Sequence, residues 1–320
     1  MQGAIFSYTA LSSTLVHYYF LLFGSLSRTS MGHHMLTQSG IFHHLLAIVE
    51  QSTSNDVYPK LIASTLNYSI DGVNRNILEG VLRHSSNISA RLYGTVLLKS
   101  LIRFHTCQQT LRWLLQQLVK QVYDSTKQVN MVAVSALYEL TETPTILAAF
   151  ARSPPLLDER LGHHSQLLTA RLLETSLLYT TYESTGMVDK LLQLWDDSFC
   201  LRWVSLQEEA ICEAMTQHRR DESTGQYGRR SNASVAALRR VTMYPHLYHA
   251  LVQHKTGAER LLKHPHLQLL IKTVSVATCS TGAELLQLKA AVWALCQVNI
   301  LHFSIFFQFN IIVFKITIYL

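Results

Sequence analysis

Turn-forming residues are scarce in this chain. Thirteen glycines and six prolines in 320 residues are about half the share of an average soluble protein. That excludes collagen-like and linker-like chains. It also argues against a sandwich of short strands, which needs a turn roughly every ten residues. Charge is scarce as well. Asp, Glu, Lys and Arg make up 15% of the chain, against 48% apolar residues, whereas disorder needs low hydropathy and high charge. The five cysteines (Cys107, Cys200, Cys212, Cys279, Cys296) contain no C-x-x-C pair, so zinc-ribbon and dithiol redox chemistry lack their spacing. Each sits among apolar neighbours and reads as a small core residue, in a reducing compartment and hence the cytoplasm. No basic residue precedes the apolar stretch from Leu15 to Phe23, so the positive region of a secretory signal is missing. The N-x-S triplets at Asn67, Asn87 and Asn232 then read as chance.

Catalytic motifs are missing too. There is no G-x-x-x-x-G-K-[ST] phosphate loop, no G-x-G-x-x-G and no G-x-S-x-G elbow, so nucleotide and hydrolase chemistry lack their basic parts. The histidines come as neighbours: His33-His34, His43-His44 and His163-His164. Neighbours on a helix point about 100° apart, and H-E-x-x-H is absent, so metal ligation is not expected. His246, His249 and His254 are loosely spaced and read as surface or half-buried residues. The expectation is a non-enzyme without cofactor or metal. The net charge of +6 is too weak to imply nucleic acid.

What is present is helical periodicity. Phe199, Trp203, Leu206 and Ala210 fall at i, i+4, i+7 and i+11, one apolar stripe with Glu208 and Glu209 off it. The stretches 97–102, 111–122, 129–140, 165–179 and 283–295 repeat the pattern, separated by short polar or Pro-bearing links such as Thr143-Pro144. A weak internal repeat relates 22–49 to 248–274: a helix, a polar loop reaching Gly32 or Gly257, a leucine four positions on (Leu36, Leu261), and a longer helix from near Ile41 or Leu267. Each glycine reads as a left-handed helix stop. The grammar is that of armadillo and HEAT repeats. The expected fold is therefore an all-α solenoid of stacked helical hairpins, which bury their apolar faces only by stacking.

Four segments follow: a helical-repeat block over 1–215, an exposed basic connector over 216–245, further truncated repeats over 246–298, and an apolar tail over 299–320. The tail is nearly long enough to span a bilayer but carries His302, Gln308, Asn310 and Lys315, which are costly in lipid. A membrane anchor, a core element and a non-native read-through stay open for it, the last being favoured. The connector holds Arg219-Arg220, Arg229-Arg230 and Arg239-Arg240. Arg229 and Arg230 stand directly before Ser231, as basic-directed kinases require, so Ser231 is a candidate phosphosite. A solvated loop, or an arginine cluster that holds a phosphorylated or acidic partner, are the alternatives.

Four blocks in order carry a family resemblance. Ser64-Thr-Leu-Asn-Tyr-Ser-Ile-Asp-Gly72, running on to Arg91-Leu-Tyr-Gly94, is similar to S-S-L-D-Y-S-x-D-G followed by R-L-Y-A. Tyr227-Gly-Arg-Arg-Ser-Asn232 resembles Y-V-R-R-S-N. His246-Leu-Tyr-His-Ala-Leu-Val-Gln-His-Lys-Thr-Gly257 resembles H-L-Y-G-x-L-V-x-H-K-T-G, and Leu288-Lys-Ala-Ala-Val-Trp293-Ala-Leu295 resembles L-K-A-S-L-W-A-L. Together they resemble the Rictor family, and the likeness breaks off after Leu295. It implies a fragment of that family's helical-repeat region. The implied role is a non-catalytic scaffold of TOR complex 2, beside the TOR kinase, a Sin-type subunit and a β-propeller subunit, in signalling to AGC-family kinases. It also marks Arg229, Arg230, Asn232, His254 and Lys255 as candidate contacts. A membrane-associated helical protein anchored by 300–320 is the alternative.

Overall fold

The computed structural model describes residues 17–52, 57–84, 87–104, 107–150, 163–215, 218–220, 227–229, 243–276 and 281–299. These form seventeen α-helices, one π-helical turn and one two-stranded ribbon. The chain divides into two compact units, residues 1–165 and 166–320.

Unit 1 carries α1 (His17–Ser27), α2 (Ser30–Gln38), α3 (Ile41–Gln51), α4 (Val57–Thr65), α5 (Val73–Leu82), α6 (Ile88–Phe104), α7 (Gln108–Gln121), α8 (Lys127–Leu140) and α9 (Pro144–Phe150). From α1 to α8 each helix packs on its successor, and α3 on α5, α4 on α6 and α6 on α8 close the stack. This is the hairpin-on-hairpin arrangement expected of an all-α repeat array. Local chemistry sets the starts. Thr29 Oγ1 accepts from Gly32 N at 3.1 Å to cap α2, and Asn87 Oδ1 accepts from Ala90 N at 3.0 Å to cap α6. The buried faces follow the helical period, as in Leu111, Leu114, Leu115, Leu118 and Val122 along α7 and its end.

Two buried arginines tie unit 1 together. Arg91 of α6 donates from Nη1 to both Asp124 oxygens at 3.0 Å and from Nη2 to Thr126 Oγ1 at 2.8 Å. Arg75 of α5 lies 4.7 Å from the Trp113 ring centre and donates to the Tyr68 and Ser69 carbonyls.

Unit 2 takes in most of α10 (His163–Leu173), then α11 (Ser176–Ser184), α12 (Met187–Leu194), the π-turn Trp195–Phe199, α13 (Cys200–Met215), β1 (His218–Arg220), β2 (Tyr227–Arg229), α14 (Leu247–Val252), α15 (Lys255–Lys263), α16 (Pro265–Val276) and α17 (Gly282–Asn299). The stripe Phe199, Trp203 and Leu206 is buried. It packs under α17, where Trp293 meets Trp203 edge-on with ring centres 5.5 Å apart.

The internal repeat is present: α1–α2–α3 and α14–α15–α16 follow one pattern, with Leu36 and Leu261 buried in equivalent places. The role of its glycines is different from that expected. Gly32 and Gly257 are each the third residue of a helix and are not left-handed stops; among the described residues the left-handed glycines are Gly40 and Gly186. A Cβ on Gly32 would stand 2.3 Å from the Leu26 carbonyl oxygen, and one on Gly257 2.4 Å from that of Leu251. What matters at both places is close approach, because the preceding helix ends against them.

One further expectation changes. Among the described cysteines only Cys200 is buried, while Cys107, Cys212 and Cys296 are exposed. Cys107 occupies a helix start, and the other two fall on outer helix faces. Cys279 lies outside the described residues. The basic connector also holds regular structure: β1 and β2 pair antiparallel, with His218 opposite Arg229, Arg219 opposite Gly228 and Arg220 opposite Tyr227. Strands of three residues are too short for alternation to show. No helix among the described residues is long and apolar enough to cross a membrane; the tail 300–320 lies outside them.

Candidate functional site

The sequence candidates fall into two groups. Arg229 ends β2, opposite His218. Arg230, Ser231 and Asn232 lie outside the described residues. His254 and Lys255 stand together at the start of α15, Lys255 exposed and His254 half-buried. His254 stacks on Tyr179 with ring centres 4.2 Å apart and planes at 21°. Its Nε2 lies 2.6 Å from the Leu173 carbonyl. A carbonyl only accepts, so Nε2 carries the proton and the ring is fixed in one tautomer. Thr256 donates to the Tyr179 hydroxyl at 3.2 Å, and Tyr179 donates to Glu183 at 3.2 Å. The start of α15 is thereby bound to α11, and Arg260 adds an ion pair to Asp189 of α12 at 2.6 Å.

The densest polar constellation among the described residues is one that spacing did not reveal. α12, the π-turn and α13 run on without a break, and the wider π-turn carries Asp196. The Asp196 carboxylate accepts from the Tyr248 hydroxyl at 2.7 Å. It also lies 2.8 Å from His266 Nδ1 and 3.2 Å from His264 Nδ1. The contributors stand in the π-turn, in α14 and around the start of α16. An open cleft of about 520 Å³ adjoins them, with Asp189, Gln193, Asp197 and Leu269 in its wall. Beside it His246, 2% exposed, is held edge-on between Trp195 and Trp203 with ring centres 4.9 Å away in each case. Its Nδ1 accepts from Tyr248 N at 3.1 Å, so an imidazole caps α14. This corrects the surface or half-buried reading of His246. Trp203 Nε1 donates to the Pro245 carbonyl at 3.0 Å, and Gln207 Oε1 accepts from Tyr244 N at 2.9 Å. Both pin the segment that enters α14.

Burial, helped by nearby His249, holds the His246 imidazole neutral, with its pKa lowered to about 3. Burial and the Asp196 charge push the Tyr248 hydroxyl well above its ordinary value. Burial and the same carboxylate push the Cys200 thiol up to about 12. The neighbouring thiol and hydroxyl thus stay protonated, the reverse of an activated nucleophile. The contacts of Asp196 with Tyr248, His264 and His266 act as a lock that ties α14 and α16 to the π-turn. Asp196 and His264 are 68 residues apart in the chain, and no linear signal joins them.

Comparison with known proteins adds the family. Residues 1–102 match the model described as rapamycin-insensitive companion of mTOR, middle domain, and residues 109–217 match the rapamycin-insensitive companion of mTOR RasGEF_N domain. The junction falls where α6 gives way to α7, and the second match ends two residues past α13. The chain is 33% identical over 291 residues to the rapamycin-insensitive companion of mTOR of Homo sapiens, covering 90% of this chain and 17% of that protein. It is 26% identical over 266 residues to Protein pianissimo A of Dictyostelium discoideum, covering 83% of this chain and 22% of the relative. It is 25% identical over 301 residues to the Target of rapamycin complex 2 subunit ste20 of Schizosaccharomyces pombe, covering 92% and 22%. The chain thus spans about a fifth or less of the length of these relatives.

Proposed function

We propose, from the premise that this chain belongs to the family of the rapamycin-insensitive companion of mTOR, that it is a non-catalytic scaffold segment of TOR complex 2. The observation that carries the proposal is the likeness, along nine-tenths of the chain, to a relative named as a subunit of that complex and to the human companion protein. In this reading it works in the cytoplasm, holds the TOR kinase beside a Sin-type and a β-propeller subunit, and supports signalling to AGC-family kinases. Stacked helical hairpins suit this role, because each repeat buries its apolar face against its neighbours and leaves extended outer surfaces for binding. The centre around Asp196 and His246 supports it too, since its thiol and hydroxyl are held protonated. The segments 1–215, 216–245 and 246–298 serve in it as array, basic connector and further array.

Two sites are proposed with it. Ser231, preceded by Arg229 and Arg230, is a phosphosite whose added charge meets neighbouring arginines. The arginines with Asn232, and the start of α15 with His254 and Lys255, are contact surfaces for other subunits. Depleting the chain in cells and measuring phosphorylation of AGC-family kinases tests the reading: phosphorylation falls and returns on re-expression. Unchanged phosphorylation after complete depletion contradicts it.

A further inference from the structure

Among the described residues of unit 1 lies an apolar groove. α7 turns Leu111, Leu114 and Leu118 into the core. Its next edge, Leu115 and Val119, faces Ala149 and Phe150 of α9 across a groove of about 380 Å³. Leu115 and Phe150 are buried and form the floor, while Val119 and Ala149 are half-exposed walls. Along the rim stand Arg112, Gln116 and Lys120, all exposed and four residues apart. The two cations are eight residues apart on one helix, or about 12 Å at 1.5 Å per residue. No carboxylate among the described residues reaches either of them, whereas Lys99 and Arg103 of the preceding α6 both pair with Glu139. Lys120 meets only the Gln117 side-chain oxygen, at 3.2 Å.

An apolar trough with two uncompensated positive charges on one rim selects its occupant by charge. The geometry points to a docking groove for an acidic amphipathic helix of a partner protein. Its aliphatic residues at i, i+3, i+4 and i+7 enter the trough, and two carboxylates about two turns apart pair with Arg112 and Lys120. Helix-in-groove recognition needs that spacing of anchors. Rim charges set orientation and partner choice, with the salt sensitivity of exposed pairs.

The test uses the full chain and a fluorescein-labelled sixteen-residue helical peptide. The peptide has leucines at its fifth, eighth, ninth and twelfth positions and glutamates at its fourth and eleventh. Anisotropy titration should give saturable binding that weakens at least tenfold in the double variant Arg112→Glu, Lys120→Glu. A companion peptide with lysines replacing both glutamates should bind that double variant and not the unaltered chain. Helical circular dichroism shows that the variant is folded, and the charge-swapped rescue proves it independently. Val119→Arg should abolish binding of the acidic peptide. Equal binding of both peptides to the unaltered chain overturns the proposal. So does loss of binding without rescue. A synthetic peptide of this chain's residues 151–162, which carry Leu156, Leu157, Asp158 and Glu159, binding as tightly as the acidic helix and competing with it would give the groove to the chain itself and also overturn it.

Discussion

The carbonyl oxygen of Leu251 lies 2.4 Å from where a Cβ on Gly257 would stand. The oxygen of Leu26 stands in the same relation to Gly32, at 2.3 Å, and in both cases the two residues are six apart in the chain. This shared contact is what the two repeat copies have in common structurally: a helix end closing on the third residue of the next helix.

Gly32→Ala and Gly257→Ala are therefore expected to destabilise. In an exposed helix interior, alanine in place of glycine stabilises by about 0.5–1 kcal/mol. Here the methyl meets backbone, and overpacking of about 1–3 kcal/mol dominates. Thermal and denaturant unfolding should show a lower midpoint for each variant. A raised midpoint would mean that the approach is looser than described.

Arg91 and Asp124 are 9% and 7% exposed and in contact. Removing one partner strands a buried charge, so Asp124→Ala is expected to cost about 3–5 kcal/mol. The double variant Arg91→Met, Asp124→Leu should recover much of that loss, because two well-packed apolar residues avoid both desolvation costs. Denaturant titration of the two single variants and the double variant checks it.

His246 gives unit 2 a pH dependence of known sign. Its folded pKa is lowered to about 3 from an ordinary value near 6.5, so the unfolded chain binds the proton more tightly. Its stabilising contribution is complete above pH 6.5 and falls as the pH drops from there toward 3. The linkage relation gives a loss of about 2 kcal/mol by pH 5. Unfolding midpoints measured from pH 7.5 to 5 should fall. His246→Asn, which keeps a capping acceptor and cannot be charged, should start lower and flatten that slope.

Cysteine reactivity should follow exposure and local field. Cys107 is exposed at the start of α7, and the backbone N–H groups of Thr110 and Gln109 lower its thiol pKa. Cys296 is exposed as a residue, but partial desolvation of its thiol against the helix face raises its pKa. With iodoacetamide at pH 7.5, followed by peptide mass spectrometry, Cys107 should label ahead of Cys296, and Cys200 only after denaturant is added. Early labelling of Cys200 would contradict its burial against the Asp196 carboxylate.

The helical grammar was legible because apolar spacing reports burial directly. Phe199, Trp203 and Leu206 lie where their period places them, and the repeat was visible from Gly32 with Leu36 and Gly257 with Leu261. The meaning of the glycines was not legible: a left-handed stop and a close approach both demand the absence of a Cβ, and only the position within the helix separates them. The lock at Asp196 was invisible because its partners come from separate helices. His246 looked solvated because a lone polar residue between Pro245 and Leu247 has no pattern to declare it buried. The paired strands 218–220 and 227–229 were too short to alternate.

Affinity capture of the tagged chain from cells, with the recovered subunits identified by mass spectrometry, tests the scaffold role most directly. If the chain is a TOR complex 2 scaffold segment, the TOR kinase and the Sin-type subunit are recovered with it in constant ratio. A folded chain recovered repeatedly without either would contradict that role.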